Sequence, residues 1–465
     1  MSFAEIDAAC TAFTQQERLP GLAAGIVQEG RLTHVTTIGL ADIEAARPVM
    51  AETAFRIASM TKHMTALAVL ALRDQGKLVL DAPVAEYVPQ FAAVKPATRD
   101  SASVSVRHLM SHAAGFVTDD PWGDRMLGMT PAALDALMAE GQLFARPPGL
   151  AFEYSNLGYA LLGRVLTNVS GEPYQSFIRR TFLDPLGMAR TTFDAFAAMK
   201  QDFAWGYRQD EGQWSRERIE PDGEVGAMGG LVTTVPDFAR WIAFLLDAWP
   251  ARDDPESGPV RRSTIREMGL WHSMPWPLEL PGAVPEATAY GAGLMNSVHG
   301  KLGRRLHHSG GLPGYGSHVL MMPERGCGVF AFANRTYAPM SRLTLRLAEM
   351  LHDATATPPL PPPSPFLAQA VESVVAAYAA GRIEVPGAIF AGNFLLDTPA
   401  RYRDAELASL KERLGEGRLE RIEPTHALGG KFTLACARGR LKGTIILSPD
   451  ARPGLQKLVL TAEPL

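Results

Sequence analysis

The 465-residue sequence predicts an α+β protein whose main domain has one antiparallel sheet formed by its two ends. A helix and strands come first, a mostly helical stretch follows from about residue 56 to 200, and strands and a helix return between about 290 and 352. We expect a main domain over residues 1–356 with a helical lobe inserted at about 60–200, a linker over 357–365, and a small α+β domain over 366–465.

At the amino end, the pattern predicts one helix and one β-hairpin. Apolar residues recur at helical spacing from Phe3 to Phe13, which predicts a helix over about residues 3–16. Residues 21–27 and 32–39 are typical of short strands, and Glu29-Gly30 between them is a hairpin signal. Further along the main domain we expect helices over 237–246 and about 337–352, and strands over 290–296, 304–308, 316–323 and 326–333.

The proline run from Pro358 to Pro365 is the clearest domain boundary, because its composition predicts a stiff linker. Beyond it, apolar residues from Phe366 to Tyr378 mark one helix face, and a second helix is expected from Pro399, with Thr398 as N-cap, to Leu414-Gly415. Strands are expected over 388–395, 431–437, 441–447 and 455–461. No motif in this part carries chemistry, so three roles stay open: capping the cleft, mediating dimerisation, and stabilising the main domain.

Composition excludes several classes of partner. Hydrophobic residues make up 46% of the chain and charged residues 20%, and the net charge of −4 includes no long run of one sign. This argues against nucleic acid or an anionic membrane surface as the main partner. The largely apolar run after Lys62 is roughly ten residues long, which is too short for a membrane span. Three widely separated cysteines and an amino terminus without a signal pattern favour the cytoplasm, or the periplasm if a leader was removed.

The stretch from Phe55 to Lys62 precedes the most apolar helix pattern of the chain. Ser59 lies at the first turn, where backbone N–H groups lack partners and the helix dipole favours negative charge. Lys62 follows three residues later, so its amine should lie beside the Ser59 hydroxyl on one helix face. A serine and a lysine so arranged are a candidate nucleophile and base. The plainer alternatives are an N-cap serine and a lysine whose charge reaches solvent.

Two further segments complete a candidate site. Tyr154-Ser155-Asn156 follows a Gly/Pro loop and begins an apolar helix, and it is the only Tyr-x-Asn in the chain. The alternative is a packed tyrosine with Asn156 as helix N-cap. His308-Ser309-Gly310-Gly311 ends a predicted strand, where the glycines would let a ligand approach the strand edge. The alternative for His308 is a histidine that only hydrogen-bonds a loop.

In the order Ser-x-x-Lys, Tyr-x-Asn, His-Ser-Gly, these segments resemble the serine β-lactamase and penicillin-binding-protein superfamily. The most similar branch is the class C β-lactamase-like hydrolases, which include family-VIII carboxylesterases and D-aminopeptidases. Supporting stretches are Leu109-Met-Ser-His112-Ala-Ala-Gly115, Gly158-Tyr-Ala-Leu-Leu-Gly163 and the segment from Gly229 to Arg240. The resemblance covers about residues 5–355. It implies a five-stranded antiparallel sheet flanked by helices, an all-helical lobe, and a site between them.

The resemblance also implies roles for single residues. Ser59 resembles the nucleophile that accepts the acyl group, Lys62 and Tyr154 the pair that removes its proton, and Asn156 a donor that orients substrate. His308, Ser309 and Gly310 resemble substrate-binding positions. The backbone N–H groups of Ser59 and Gly311 would form the oxyanion hole. Which of Lys62 and Tyr154 is the base stays open, because the two would titrate as a coupled pair.

One departure from the family pattern affects the substrate. Penicillin-recognising members usually have lysine in the third motif, and here His308 replaces a fixed cation with a group that is mostly neutral at pH 7. We therefore expect hydrolysis of small esters or amides, of the esterase or D-aminopeptidase type. β-Lactamase or DD-carboxypeptidase activity ranks lower, as does a penicillin-binding protein that is acylated without efficient turnover.

Other chemistries lack their motifs. The sequence has no Gly-x-Ser-x-Gly elbow of an α/β-hydrolase, no His-Glu-x-x-His or Cys/His metal pattern, and no glycine-rich nucleotide loop after a strand. We therefore expect no metal and no cofactor. The expected partner is a small-molecule ester or amide, and a homodimer stays open.

Overall fold

A computed structural model describes residues 2–270, 272–274, 287–354 and 362–464. The chain divides into two compact units, residues 1–356 and 357–465. Most of the predicted linker over 357–365 lies outside the described residues. Among the residues described, every helix is too short or too polar to cross a bilayer.

The first unit combines helices with a large sheet. Its described helices are α1 (Phe3–Gln16), α2 (Lys62–Asp74), α3 (Val106–Met110), α4 (Pro131–Glu140), α5 (Asn156–Ser170), α6 (Tyr174–Ile178), α7 (Ala195–Ala198), α8 (Val235–Leu246), α9 (Arg262–Glu267) and α10 (Met340–Ala354). Its described strands are β1 (Gly21–Gln28), β2 (Arg31–Asp42), β3 (Arg47–Pro48), β4 (Phe55–Arg56), β5 (Tyr207–Asp210), β6 (Gln213–Arg216), β7 (Val232–Thr233), β8 (Ala287–Tyr290), β9 (Met295–His299), β10 (Gly303–Leu312), β11 (Tyr315–Met322) and β12 (Cys327–Ala333).

The main sheet joins the two ends of this unit, which confirms the predicted fold class. Within the described residues it has eight strands, in the order β3-β2-β1-β12-β11-β10-β9-β8, and all neighbours are antiparallel. The five adjacent strands β2, β1, β12, β11 and β10 are the longest and form the five-stranded sheet that was expected. The shorter strands β3, β9 and β8 extend it at both edges.

Strand β1 shows why the sheet is covered on both faces. Leu22 and Ile26 pack in a cluster with α1 and α10, whereas Ala23 and Val27 pack in the cluster that contains α2 and α8. Side chains alternate between the two faces of a strand, so a run buried on both faces requires helices on both. The turn to β2 has positive φ at Glu29 and Gly30, as a tight two-residue hairpin requires.

Helix α2 runs through the centre of the larger core, as its apolar sequence predicts. Every residue from Lys62 to Leu72 is buried. A helix without a polar face must be surrounded by protein. Lys62 at its start is therefore surrounded as well, although lysine is among the residues least often found buried.

The predicted strand over 290–296 is wrong in its bounds, because β8 ends at Tyr290 and β9 begins at Met295. The chain turns at Gly293, which has φ +74. A Cβ at Gly293 would lie 2.7 Å from the carbonyl oxygen of Lys62. The break therefore lets the chain pass directly over the first turn of α2.

The second unit contains α11 (Pro365–Ala380), α12 (Phe394–Asp397) and α13 (Ala400–Leu414), with β13 (Gly417–His426), β14 (Gly429–Cys436), β15 (Gly439–Leu447) and β16 (Leu455–Pro464). The four strands form one antiparallel sheet in chain order. Apolar side chains of α11 and α13 form a core with β14 and β15.

Three expectations for this unit are wrong. Residues 388–395 do not form a strand: Phe390 makes an isolated bridge to Leu455, and α12 begins at Phe394. Strand β13 was missed because most of its side chains are polar or charged, which an edge strand with Pro424 tolerates. The N-cap position of α13 is Pro399 instead of Thr398.

Replacing Gly293 by alanine should destabilise the protein more than the same change at Gly30. Both glycines have positive φ, +74 and +72, but a Cβ at Gly30 meets nothing within 4 Å. We expect Gly30→Ala to cost about 1 kcal/mol from backbone strain alone. Gly293→Ala should cost roughly 2–4 kcal/mol, because overlap with α2 adds to that strain. Urea denaturation of the three proteins measures the difference, and equal losses would contradict this packing.

Candidate active site

Ser59 lies in a strained turn that leads into α2. A 3₁₀ turn over Ala58–Thr61 precedes the helix, and Ala58 has φ +50, which residues with a side chain rarely adopt. The Thr61 hydroxyl donates to the Ala58 carbonyl at 2.7 Å, and the Ser317 hydroxyl donates to the Ile57 carbonyl at 2.7 Å. Such strain persists only where neighbouring groups fix it, and it is typical of functional sites.

The Lys62 amine contacts Ser59 as the three-residue spacing predicts. Its Nζ lies 2.8 Å from Ser59 Oγ, 2.7 Å from Asn156 Oδ1 and 3.0 Å from the Met228 carbonyl oxygen. An ammonium has three N–H donors, so these three acceptors satisfy it completely. A neutral amine in the same place could instead accept the Ser59 hydroxyl proton.

Burial shifts the protonation equilibrium of Lys62 towards the neutral amine. Loss of hydration lowers the pKa of Lys62 to about 8, although the carboxylates of Asp120, Asp124 and Asp119 oppose the shift. A substantial fraction of the amine is therefore unprotonated at mildly alkaline pH. The positive charge that remains lies beside the Ser59 oxygen.

Tyr154, two residues before the start of α5, lies beside Ser59 and Lys62. Its ring centroid lies 5.0 Å from Lys62 Nζ. Burial, and then the charge of Asp120, raise the pKa of Tyr154 well above its ordinary value, and the nearby Ser59 side chain only partly opposes this. In the free protein Tyr154 is therefore a neutral phenol, and the balance between the two candidate bases favours the Lys62 amine.

Asn156 reaches Lys62 because it is not the helix cap. Ser155 is the N-cap of α5, and its hydroxyl accepts from the Gly158 N–H at 3.2 Å. The Asn156 side chain is thus free to direct Oδ1 to Lys62 while Nδ2 donates to Asp120. The amide orientation follows from these two partners, and substrate binding by Asn156 stays a prediction.

The third segment lies at an open strand edge. Strand β9 pairs with β10 only as far as His307, whereas β11 pairs with it to Leu312, so one edge of residues 308–311 has no partner from β9. Gly310 lies against the Ser59 turn, since a Cβ there would be 2.3 Å from the Ile57 carbonyl oxygen. A Cβ at Gly311 would be 2.7 Å from the Tyr337 ring. Both glycines are required by close packing at this edge.

His308 faces the site but offers it no free ring nitrogen. Its Nδ1–H donates to the Ser309 carbonyl at 2.6 Å, and Nε2 accepts from the Tyr290 hydroxyl at 2.9 Å. Burial, and then the Lys62 charge, lower the pKa of His308 to about 3. His308 is thus neutral at pH 7, and only 4% of it is exposed. Contacts of His308, exposed Ser309 and Gly310 with a substrate, and an oxyanion hole at Ser59 and Gly311, stay predictions.

The sequence interpretation missed the acidic side of the site. Asp119 accepts the backbone N–H groups of Asn156 and Leu157 at 2.6 and 2.7 Å, and so fixes the start of α5 from a distant segment. Asp124 accepts from the Tyr337 hydroxyl at 3.0 Å, and burial raises its pKa to about 7. The Asp119-Asp120-Pro121 sequence is a turn signal, but nothing local shows that it meets α5. Within the described residues, no group of three or more His, Cys, Asp or Glu side chains is placed to hold a metal ion.

Comparisons with known proteins agree with this geometry. The model of the family described as Beta-lactamase matches residues 6–354. Protein flp of Staphylococcus aureus strain COL is 26% identical over 323 residues, which cover 69% of this chain and 60% of that protein. A Beta-lactamase of Yersinia enterocolitica is 24% identical, over 70% of this chain and 85% of that protein. The chain therefore spans less than two thirds of the length of the flp proteins that it matches.

One solved structure resembles the whole chain. The octameric penicillin-binding protein homologue from Pyrococcus abyssi has a TM-score of 0.66 and 22% identity, covering 100% of this chain and 99% of that one. At this identity the likeness shows the fold alone.

The reactivity of Ser59 should increase as pH rises through about 8. Below that pH, Lys62 is an ammonium and cannot take the Ser59 proton, and above it the neutral amine can. The rate of labelling by a fluorophosphonate, followed by intact mass, measures this dependence. Lys62→Arg should abolish the rise, because its side chain stays protonated. A rate that is flat or falling around pH 8 would contradict the assignment of Lys62 as base.

Proposed function

The chain belongs to the Beta-lactamase family, and we propose that it hydrolyses small esters or amides through an acyl-enzyme on Ser59. The observation that carries this proposal is the 2.8 Å contact between Ser59 Oγ and the buried Lys62 amine, with the Tyr154 ring centroid 5.0 Å from the same amine. A hydroxyl and an amine from one helical turn thus lie beside a phenol from a separate segment, an arrangement suited to covalent catalysis.

The proposed acylation step returns Lys62 and Tyr154 to their starting protonation states. Neutral Lys62 removes the Ser59 proton as Oγ attacks the substrate carbonyl, and the bond from Oγ to carbon forms. The negative charge on the carbonyl oxygen is stabilised by the N–H groups of Ser59 and Gly311. The bond to the leaving group then breaks as Tyr154 protonates that group and regains a proton from Lys62. In deacylation the proton transfers run in reverse: Lys62 takes the Tyr154 proton, Tyr154 takes a proton from water as the water oxygen bonds to the acyl carbon, and the bond from Oγ to carbon breaks as Lys62 returns a proton to Ser59.

The third motif supports esters or amides over β-lactams. A β-lactam carries a carboxylate, which a fixed cation would bind most strongly. His308 is neutral at pH 7, and both of its ring nitrogens have protein partners. The carboxylates of Asp119, Asp120 and Asp124 near Lys62 further disfavour an anionic substrate. We therefore propose an esterase or D-aminopeptidase type of activity and rank β-lactamase and DD-carboxypeptidase activity below it.

Replacing Ser59 by alanine should abolish both turnover of a p-nitrophenyl ester and covalent labelling by a phosphonate, because it removes the oxygen that is proposed to attack. Ser111→Ala is a control, since this buried serine donates to the Arg107 carbonyl outside the proposed machinery. We expect the control to keep its label on Ser59. Labelling of a different serine in the wild-type protein would overturn the assignment.

A substrate panel tests the proposed ranking. Esters and D-amino acid amides should be hydrolysed with higher kcat/KM than the β-lactam nitrocefin, because the site lacks a cation at position 308. Faster turnover of nitrocefin than of every ester and amide would contradict the ranking and leave the role of Ser59 intact.

A further inference from the structure

His112 holds the backbone on both sides of Tyr154. Its carbonyl oxygen accepts from the Glu153 N–H at 2.8 Å, and its ring Nδ1 accepts from the Ser155 N–H at 3.1 Å. One residue therefore accepts the backbone N–H groups of the residues immediately before and after the tyrosine. Both bonds cross a loop of about 40 residues in the sequence, so they fix Tyr154 against a separate segment.

The His112 ring also packs on the Tyr154 ring. Their centroids are 4.3 Å apart, closer than those of any other ring pair that either residue forms among the described residues. Tyr290 lies on another side of His112 at 4.5 Å, with its ring nearly perpendicular, and Tyr159 lies at 5.2 Å. Because the Tyr290 hydroxyl donates to His308, this aromatic group connects Tyr154 to the third motif.

The hydrogen bonds assign the state of the His112 ring. Nδ1 accepts a backbone N–H, so in the neutral ring the proton is on Nε2. Burial, and then the Lys62 charge, lower the pKa of His112 well below its ordinary value. The ring therefore keeps its accepting Nδ1 at neutral pH, and Nε2–H has no hydrogen-bond partner among the described residues.

His112 has a strained backbone conformation that is stable only because the surrounding structure fixes it. Its φ is +56, a left-handed value uncommon for residues with a side chain, and only 2% of the residue is exposed. The Ala113 carbonyl next to it accepts from the Gly149 N–H at 2.8 Å. This strained backbone conformation points both the carbonyl group and the ring of His112 towards the loop before α5.

We propose that His112 is a positioning residue that fixes the Tyr154 hydroxyl beside Ser59, acting through two backbone hydrogen bonds and one ring contact. The inference rests on the proposed function, because it assumes that Tyr154 transfers protons in the reaction at Ser59. His112 does not itself touch the reacting atoms. Its effect on catalysis passes entirely through Tyr154.

A double-mutant cycle separates this role from simple structural support. His112→Leu removes both the ring acceptor and the aromatic contact, and it should lower kcat/KM for an alkyl ester roughly a hundredfold, as expected for a misplaced catalytic group. In the Tyr154→Phe background the same change should cost less than about threefold, because the hydroxyl that His112 positions is already absent. His112→Asn should recover part of the loss, since asparagine tolerates positive φ and offers an oxygen to the Ser155 N–H.

His318→Asn is the matched control. His318 is also a buried histidine with a side-chain hydrogen bond, but its partner Thr344 lies on α10 and not in the loop before α5. This change should lower the melting temperature with equal effects on kcat/KM in both backgrounds. Losses from His112→Leu that are equal in the two backgrounds would overturn the proposal, because they would show a purely structural role.

The labelling rate of Ser59 by a fluorophosphonate provides the same cycle where turnover is too slow to measure. Coupling between His112 and Tyr154 in that rate supports the proposal, and additivity overturns it. Failure of the proposed function has a different signature: the wild-type protein would carry no label on Ser59. The experiment therefore distinguishes a failure of the His112 proposal from a failure of the proposed function of Ser59.

Discussion

The buried amine of Lys62 is the interaction on which the site depends. An apolar helix surrounded by protein places this amine where water cannot stabilise its charge, and the pKa falls to about 8 as a result. The same burial raises the pKa of Tyr154, so one physical cause shifts the two groups in opposite directions and separates their roles. The remaining contacts of Lys62, with Ser59, Asn156 and the Met228 carbonyl, compensate for the lost hydration.

The fold creates this environment by bringing three segments of the chain together. The strained turn at Ala58 presents Ser59, the loop before α5 presents Tyr154, and the open edge of β10 closes the third side. Gly293 and Gly310 let their backbones approach the start of α2 and the Ser59 turn more closely than any side chain would allow, and Gly311 leaves room for the Tyr337 ring. Asp119 and His112 then hold the Tyr154 segment, the first through the N–H groups of Asn156 and Leu157 and the second through those of Glu153 and Ser155. The positions of the groups around Ser59 therefore depend on residues that do not contact Ser59 themselves.

Residue spacing in the sequence predicted those features that depend only on neighbouring residues. The Ser59–Lys62 contact follows from one helical turn, and the strand patterns at both ends of the main domain predicted the shared sheet. The convergence of Tyr154 and His308 on Ser59 came from family resemblance, since no sequence spacing encodes a contact across about 90 or more residues. Asp119 and Tyr290 could not be identified because only tertiary packing brings them to the site. The break at Gly293 and the polar edge strand β13 were missed for related reasons: one depends on a neighbouring helix, and the other lacks the apolar pattern of a buried strand.

The most direct measurement of the central claim is the pKa of Lys62 in the intact protein. Nuclear magnetic resonance of labelled lysine side chains, with Lys62→Arg to assign the signal, follows its titration. Burial beside Ser59 predicts a midpoint at about 8, against the ordinary value of 10.5. A midpoint near 10.5 would show that the amine is hydrated or neutralised by the nearby carboxylates, and it would contradict its assignment as the base.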